Sequence, residues 1–158
     1  MTKNLLIILL TILPLNAFAL IEVDITRGNL NPLPIAVSPL SIDENSRKNF
    51  EKILKKRNVG SEISNVVEQN LKTSGLFNPL NKDAFLQAPD IANLKPRFED
   101  WNLIKAQALI TGKVDFVNNK LRVEFRLWDV LVAKEIMALA FTTVPNNWRR
   151  VGHIITDK

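Results

Sequence analysis

The stretch Ala108–Val144, ALITGKVDFVNNKLRVEFRLWDVLVAKEIMALAFTTV, predicts a meander of three strands. Asn118-Asn119 is a tight-turn signal, which separates an apolar strand, Ala108–Val117, from the strand Leu121–Trp128. Apolar and mostly polar side chains alternate along this second strand: Leu121, Val123, Phe125 and Leu127 against Arg122, Glu124, Arg126 and Trp128. We therefore expect one face in the core and one that is wet or covered by polar contacts. Lys134–Val144 is apolar on both faces, so we expect a central strand or one with a helix on each side.

Helical patterns lie before and after this meander. The lysine-rich segment Asp43–Arg57 places Phe50, Ile53 and Leu54 on one helical face. Its cationic face could dock on acidic lipid or nucleic acid, but no aromatic residues interleave with the lysines, and this favours a solvated amphipathic helix.

Three further helices are expected. Ser61 is placed to cap a helix that carries an apolar stripe and ends at Gly75. Leu76, Phe77 and Leu80 are expected to form a short apolar plug, and Asn81 to Leu94 is expected to be an irregular surface connection. Pro96 suits the first turn of a helix reaching about Gln107, with Trp101, Ile104 and Ala108 towards the core. Asn147 can cap a last helix.

The amino-terminal region predicts an exported chain. Met1 to Ala19 has a basic residue, an apolar run and the small residues Ala17 and Ala19 that a signal peptidase reads, so we expect cleavage after Ala19. The apolar run, about eleven residues, is shorter than the roughly 20 that cross a bilayer. We expect a periplasmic protein without stable membrane insertion after cleavage.

Leu20 would then begin the mature chain, and two short apolar strands are predicted behind it. Ile21–Thr26 and Pro34–Val37 are joined by a polar link. A free end with strand character and no local partner is a candidate for docking, so the first functional indication is binding rather than catalysis.

Composition sets limits on other functions. The chain has 158 residues, a net charge of +5 and no cysteine, which fits one domain and excludes a disulfide framework, a thiolate nucleophile and a cysteine metal site. His153 is the only histidine, so a multi-histidine metal site cannot form. A Gly-x-Ser-x-Gly turn and a glycine-rich phosphate loop are both absent from the sequence. We expect no enzymatic activity and no cofactor. A less favoured alternative is a small nucleic-acid-binding domain that stacks bases on a platform of Arg122, Arg126 and Trp128.

Four segments together resemble a known family. They are Ser74-Gly75-Leu76-Phe77-Asn78-Pro79-Leu80, Trp101 through Ala108-Leu109-Ile110-Thr111-Gly112-Lys113-Val114, Leu121 through Leu127-Trp128-Asp129, and Trp148-Arg149-Arg150-Val151-Gly152-His153. In this order they are similar to the amino-terminal domain of the TolB family, the periplasmic translocation proteins of the Tol-Pal system. The resemblance covers essentially the whole mature chain, residues 20–158.

The resemblance implies a fold and a function. The fold is mixed α/β, an about five-stranded sheet flanked by helices, akin to the anticodon-binding domains of class II synthetases. The function is a non-enzymatic interaction domain that supports envelope integrity and cell division. The mature amino-terminal tail of the family contacts TolA, and the matching positions here are Leu20, Ile21, Glu22, Val23, Asp24, Ile25 and Thr26.

The resemblance also leaves two alternatives open. The family continues into a carboxy-terminal β-propeller that carries the Pal site, and this chain ends where that connection would begin. We therefore expect Pal binding only if a propeller is supplied, and a truncated, functionally inert fragment is the other possibility.

Overall fold

The structure is a computed structural model that describes residues 31–89 and 95–158. Within these residues the chain forms a mixed sheet of six strands. The strands are β1 (Leu33–Val37), β2 (Ser41–Ile42), β3 (Phe77–Pro79), β4 (Ala108–Val117), β5 (Lys120–Asp129) and β6 (Lys134–Thr143). The four α-helices of the described part are α1 (Glu44–Leu54), α2 (Val59–Thr73), α3 (Phe98–Leu103) and α4 (Trp148–Thr156).

Five strands form a continuous order, β3-β1-β4-β5-β6, and the two-residue β2 pairs with β4 beside β1. β1 is parallel to both β3 and β4, whereas β4, β5 and β6 form an antiparallel meander. The predicted α/β class and the mixed sheet flanked by helices are therefore confirmed. Asn118 and Asn119 both have positive φ, 51° and 60°, so the predicted hairpin turn is also confirmed.

One face of the sheet is covered by α1, α2 and α4, and we call it the helical face. The apolar side chains of the strands meet those of the helices in one large cluster, which includes Ile35, Ile110, Val123, Ile63 and Trp148. Ser64 of α2 fixes the chain between β1 and β2, because its hydroxyl accepts from the Leu40 N–H at 2.9 Å and lies 3.1 Å from the Ser38 carbonyl.

The second face is covered only at one end. There Phe98 and Trp101 of α3 pack with Leu109 and Trp128 in a smaller apolar cluster. The other end of this face carries charged side chains, among them Lys113 and Arg122, which pair with Asp115 and Glu124.

β6 is an edge strand, and the expectation that Lys134–Val144 lies centrally or between two helices is wrong. It pairs with β5 alone in the described sheet, and most of its side chains are exposed. Apolar residues on both faces indicated burial, yet the antiparallel order places the last strand of the meander at the border.

Two helix boundaries also differ from the expectation. α2 begins at Val59, and Ser61 lies inside it rather than capping it. Val59 is fully buried, so its packing in the core explains why the helix begins two residues before Ser61. α3 ends at Leu103 instead of near Gln107, because Lys105 has a φ of 61° and the Gln107 N–H bonds to the Pro34 carbonyl at 2.9 Å. Ala108 therefore begins β4, and its side chain is buried as part of the sheet and not of a helix.

Smaller corrections concern single segments. The plug after Gly75 contains β3, a strand that the sequence did not predict. Ile53 points to solvent, whereas Phe50 is buried as expected. Asn147 precedes α4 but makes no capping hydrogen bond with its side chain.

Candidate functional site

The predicted binding tail, Leu20–Thr26, and the cleavage residues Ala17 and Ala19 lie outside the described residues. The described body shows what they are attached to. β1 begins at Leu33, whose N–H donates to the Leu76 carbonyl at 2.9 Å, and β1 is held between β3 and β4. The described chain therefore enters the sheet through an interior strand.

The end of the sheet at which β1 begins carries exposed apolar side chains. Val130 at the end of β5 donates its N–H to the Gln107 carbonyl, which places the β5–β6 turn at this same end. Leu131 and Val132 in that turn are each 66% exposed, and Leu76 beside Leu33 is 57% exposed. We call Leu33, Leu76, Leu131 and Val132 the anchor end.

The described residues contain no group of three or more histidine, aspartate or glutamate side chains that could hold a metal. His153 lies on α4, and its Nδ1 is 2.8 Å from the side-chain amide of Asn70 on α2. This contact joins two helices and brings no nucleophile to the imidazole.

Asp100, which follows Glu99 in the sequence, has a structural role. Its Oδ2 accepts from Arg97 Nε at 2.9 Å and from Gln87 Nε2 at 3.2 Å. The hydrogen bonds from Arg97 and then Gln87 lower the pKa of Asp100 from its usual 3.8, so the carboxyl is an anion at neutral pH. Gln87 also donates to the Arg97 carbonyl at 2.9 Å, which ties the segment after β3 to α3.

The proposed base-stacking platform is absent from the surface. Trp128 is buried against the ring of Phe98, 5.8 Å between centroids, and its Nε1 donates to Thr111 Oγ1 at 2.9 Å. Placing Trp128 on a wet or polar-covered face was therefore wrong, because α3 covers this end of the second face. Arg122 and Arg126 are paired with Glu124 at 2.9 Å and Glu135 at 3.3 Å. This arrangement does not favour nucleic acid, since neither an exposed aromatic ring nor an unpaired arginine faces solvent there.

The lysines of α1 form a solvated face. Lys48 and Lys52 of α1, together with Lys55 just after its end, are exposed and surround Glu51. The interpretation of α1 as an amphipathic helix fits this arrangement, because Phe50 packs edge-on against Phe116 at 5.3 Å on the opposite side. None of the described helices is both long and apolar enough to cross a bilayer.

Comparison with known proteins decides the family. The model of the TolB amino-terminal domain matches residues 21–136 of the chain. The chain belongs to the TolB amino-terminal domain family. The Tol-Pal system protein TolB of Pelagibacter ubique (strain HTCC1062) is 79% identical to it over 153 residues, which are 97% of this chain and 34% of that protein. The chain therefore spans about a third of the length of this TolB relative.

Solved structures support the fold. The crystal structure of TolB from Acinetobacter baumannii has a TM-score of 0.58 at 20% identity and covers 80% of this chain and 27% of that one. A PelC dodecamer structure from Paraburkholderia phytofirmans has a TM-score of 0.50 at 11% identity and covers 79% and 86% of the two chains. At these identities the TolB and PelC structures show the fold alone.

Sequence reasoning missed one surface, the edge of β6 that no other strand of the described residues covers. The run from Ile136 to Val144 contains nine uncharged residues without proline or glycine. This run was a signal for an unprotected edge, but the sequence did not show which strand would lie at the border.

Proposed function

We propose that this TolB-family domain is a non-enzymatic interaction domain of the Tol-Pal system that works in the periplasm. The single observation that carries the proposal is the 79% identity to a Tol-Pal system protein TolB over 97% of the chain.

The export signal supports the periplasmic location. Cleavage after Ala19 would release a mature chain that begins at Leu20. Mass spectrometry of the product exported by a Gram-negative host should give the mass of residues 20–158. A product that retains Met1–Ala19 would contradict the processing.

The absence of an assembled catalytic set in the described residues supports a binding role. His153 and Asp100 each serve contacts between segments of the fold. The pKa of Asp100 is shifted downwards, whereas a carboxyl general acid at neutral pH needs a raised pKa.

Within this function, we propose that Leu20–Thr26 binds a TolA-like inner-membrane protein by adding a strand to one of its sheets. Ile21, Val23 and Ile25 alternate with Glu22 and Asp24, so an extended tail would present one apolar and one acidic face. In added-strand binding the main chain supplies hydrogen bonds and alternate side chains supply specificity. Binding of Pal is expected only when the family's propeller is present.

Single substitutions test the alternation. Val23→Lys would place a charge on the apolar face, and we expect it to weaken binding to a TolA carboxy-terminal domain by about tenfold or more in calorimetry. Glu22→Gln is the matched control on the acidic face and should change affinity by less than about threefold.

Both variants should keep the thermal unfolding curve of the unsubstituted chain, because the tail precedes the folded body. Equal loss of affinity in Val23→Lys and Glu22→Gln would contradict a strand with two distinct faces.

A further inference from the structure

The two edges of the sheet are protected to different degrees. β3 has three residues and ends in Pro79, which has no N–H to offer a neighbouring strand. β6 has ten residues, and those from Ile136 onwards include no charge and no proline. Natural sheets usually protect such an edge with lysine, proline or a bulge, because its unpaired main-chain groups recruit other strands.

The one irregularity of β6 lies at its beginning. The register against β5 shifts between Leu127 and Trp128, so Leu127 faces Met137 and Trp128 faces Glu135. This bulge protects the charged start of the strand, Lys134–Ile136. Met137–Thr143 continues as a regular seven-residue ladder and is the unprotected part.

The side chains that Met137–Thr143 places on the helical face are mostly apolar. Met137, Leu139 and Phe141 share the face of their β5 partners, Leu127, Phe125 and Val123. Phe141 stacks on Phe125 at 6.1 Å and is only partly buried, while Leu139 is 38% exposed. A cleft of about 190 Å³ between β6 and α4 is lined by Phe141, Arg150 and Ile154 among others. Another strand placed here would continue the main core outwards.

We propose that β6 pairs with β6 of a second copy of this chain, antiparallel and with Ala140 at the twofold axis. In this register Leu139 meets Phe141, Ala138 meets Thr142 and Met137 meets Thr143 of the other copy. Every one of these residues is uncharged, and both copies use their whole regular ladder. The helical faces lie on the same side, so the side chains of Met137 and Leu139 enter the cleft beside α4 of the other copy.

A second copy suits this edge because the edge sequence is compatible with itself in an antiparallel pair. An antiparallel pair about Ala140 brings no two like charges together, since Lys134 lies beyond the ladder on both strands. The opposite face carries only Ala138, Ala140 and Thr142, whose small side chains let two edges approach. Strand pairing alone buries less than the roughly 1,600 Å² of a stable interface, so we expect a reversible monomer–dimer equilibrium.

Sedimentation equilibrium of the full chain tests the pairing. We expect a concentration-dependent dimer, and Leu139→Lys should raise its dissociation constant by about tenfold or more, because each new ammonium group enters the pairing edge. Val132→Lys is the control: it places the same charge at an apolar position of the β5–β6 turn that is more exposed than Leu139, 66% against 38%, and it should leave the dimer unchanged.

Cysteine substitutions test the register without relying on affinity, because the chain contains no cysteine. Opposite residues in an antiparallel pair have Cα atoms about 4.5–5.5 Å apart, which suits a disulfide. Ala140→Cys should therefore form a covalent dimer on mild oxidation. Lys134→Cys should not, since its two copies would be roughly 40 Å apart along the strands.

Three results would overturn the proposal. In the first, the chain stays a monomer at all concentrations up to about 1 mM. In the second, Leu139→Lys does not weaken the dimer. In the third, the dimer disappears when Leu20–Thr26 is deleted. The last result would assign the β6 edge to the tail. Circular dichroism of each variant checks that the fold is retained, and Ala140→Cys gives an independent result if Leu139→Lys unfolds.

Discussion

Gly152 determines how closely α4 approaches α2. A Cβ atom at this position would lie 2.7 Å from Val66 Cγ1 and 2.8 Å from Val66 Cβ, well inside van der Waals contact. The two helices run side by side, with the Trp148 end of α4 near Glu62 and its other end near Asn70. Because both Val66 atoms belong to a short, branched side chain, rotation alone does not relieve the overlap.

We therefore expect Gly152→Ala to destabilise the domain by about 1–3 kcal/mol, as overpacking does elsewhere. Urea unfolding measures the loss. Val66→Ala in the same chain removes Cγ1, the nearer of the two obstructing atoms, and keeps Cβ. The double variant should therefore lose less stability than the sum of the single ones, with a coupling of about 0.5–3 kcal/mol. Strictly additive losses would show that Gly152 and Val66 are not in contact.

Asp43 caps α1 and makes stability depend on pH. Its carboxylate accepts from the Ser46 N–H at 2.9 Å, and its hydrogen bonds with Ser46 lower the pKa from the usual 3.8. A carboxyl whose folded pKa lies below its unfolded pKa stabilises the fold above the unfolded value. That contribution is lost as the pH falls through the folded value.

Asp43→Ala should cost about 1 kcal/mol at pH 7, because the N-cap is lost. Asp43→Asn keeps an acceptor oxygen and removes the titration. The stability advantage of the unsubstituted chain over Asp43→Asn should therefore be largest at pH 5–7 and shrink below about pH 4. Chemical unfolding at pH 7, 5 and 3 measures it, and a difference that is constant across this range would refute the assignment.

Among the secondary-structure elements, the β4–β5 hairpin follows most directly from its sequence. Asn118 and Asn119 both adopt left-handed φ, as a two-residue type I′ turn requires. Asparagine tolerates this conformation better than most residues, and glycine tolerates it best.

Asn119→Gly should stabilise the domain by about 0.5–1 kcal/mol, and Asn119→Ala should destabilise it by a similar amount. Thermal unfolding orders the three chains. A more stable alanine variant would show that the turn in solution is not the one described.

The elements also show why part of the fold could be predicted. Local chemistry determined the end of β4 at the asparagine turn and the left-handed Gly75 after α2, because turn residues act within a few residues. Tertiary contacts determined the rest. Trp128 is buried by α3, Val59 extends α2 by packing, and β3 forms only because β1 lies beside it.

Across the whole molecule, the predicted tail and the β6 edge depend on different kinds of information. The alternation in Leu20–Thr26 is readable without a structure, whereas the edge position of β6 depends on the order of all the strands. In the described body, β1 lies between β3 and β4, and the exposed apolar anchor end lies at the start of this strand.

The most direct test of the central claim is a calorimetric titration of a TolA carboxy-terminal domain with two forms of the mature chain, residues 20–158 and 27–158. The longer form should bind. The form without Leu20–Thr26 should give no binding heat, while its thermal unfolding stays the same. Equal affinity of the two forms would contradict the assignment of the tail as the TolA-binding segment.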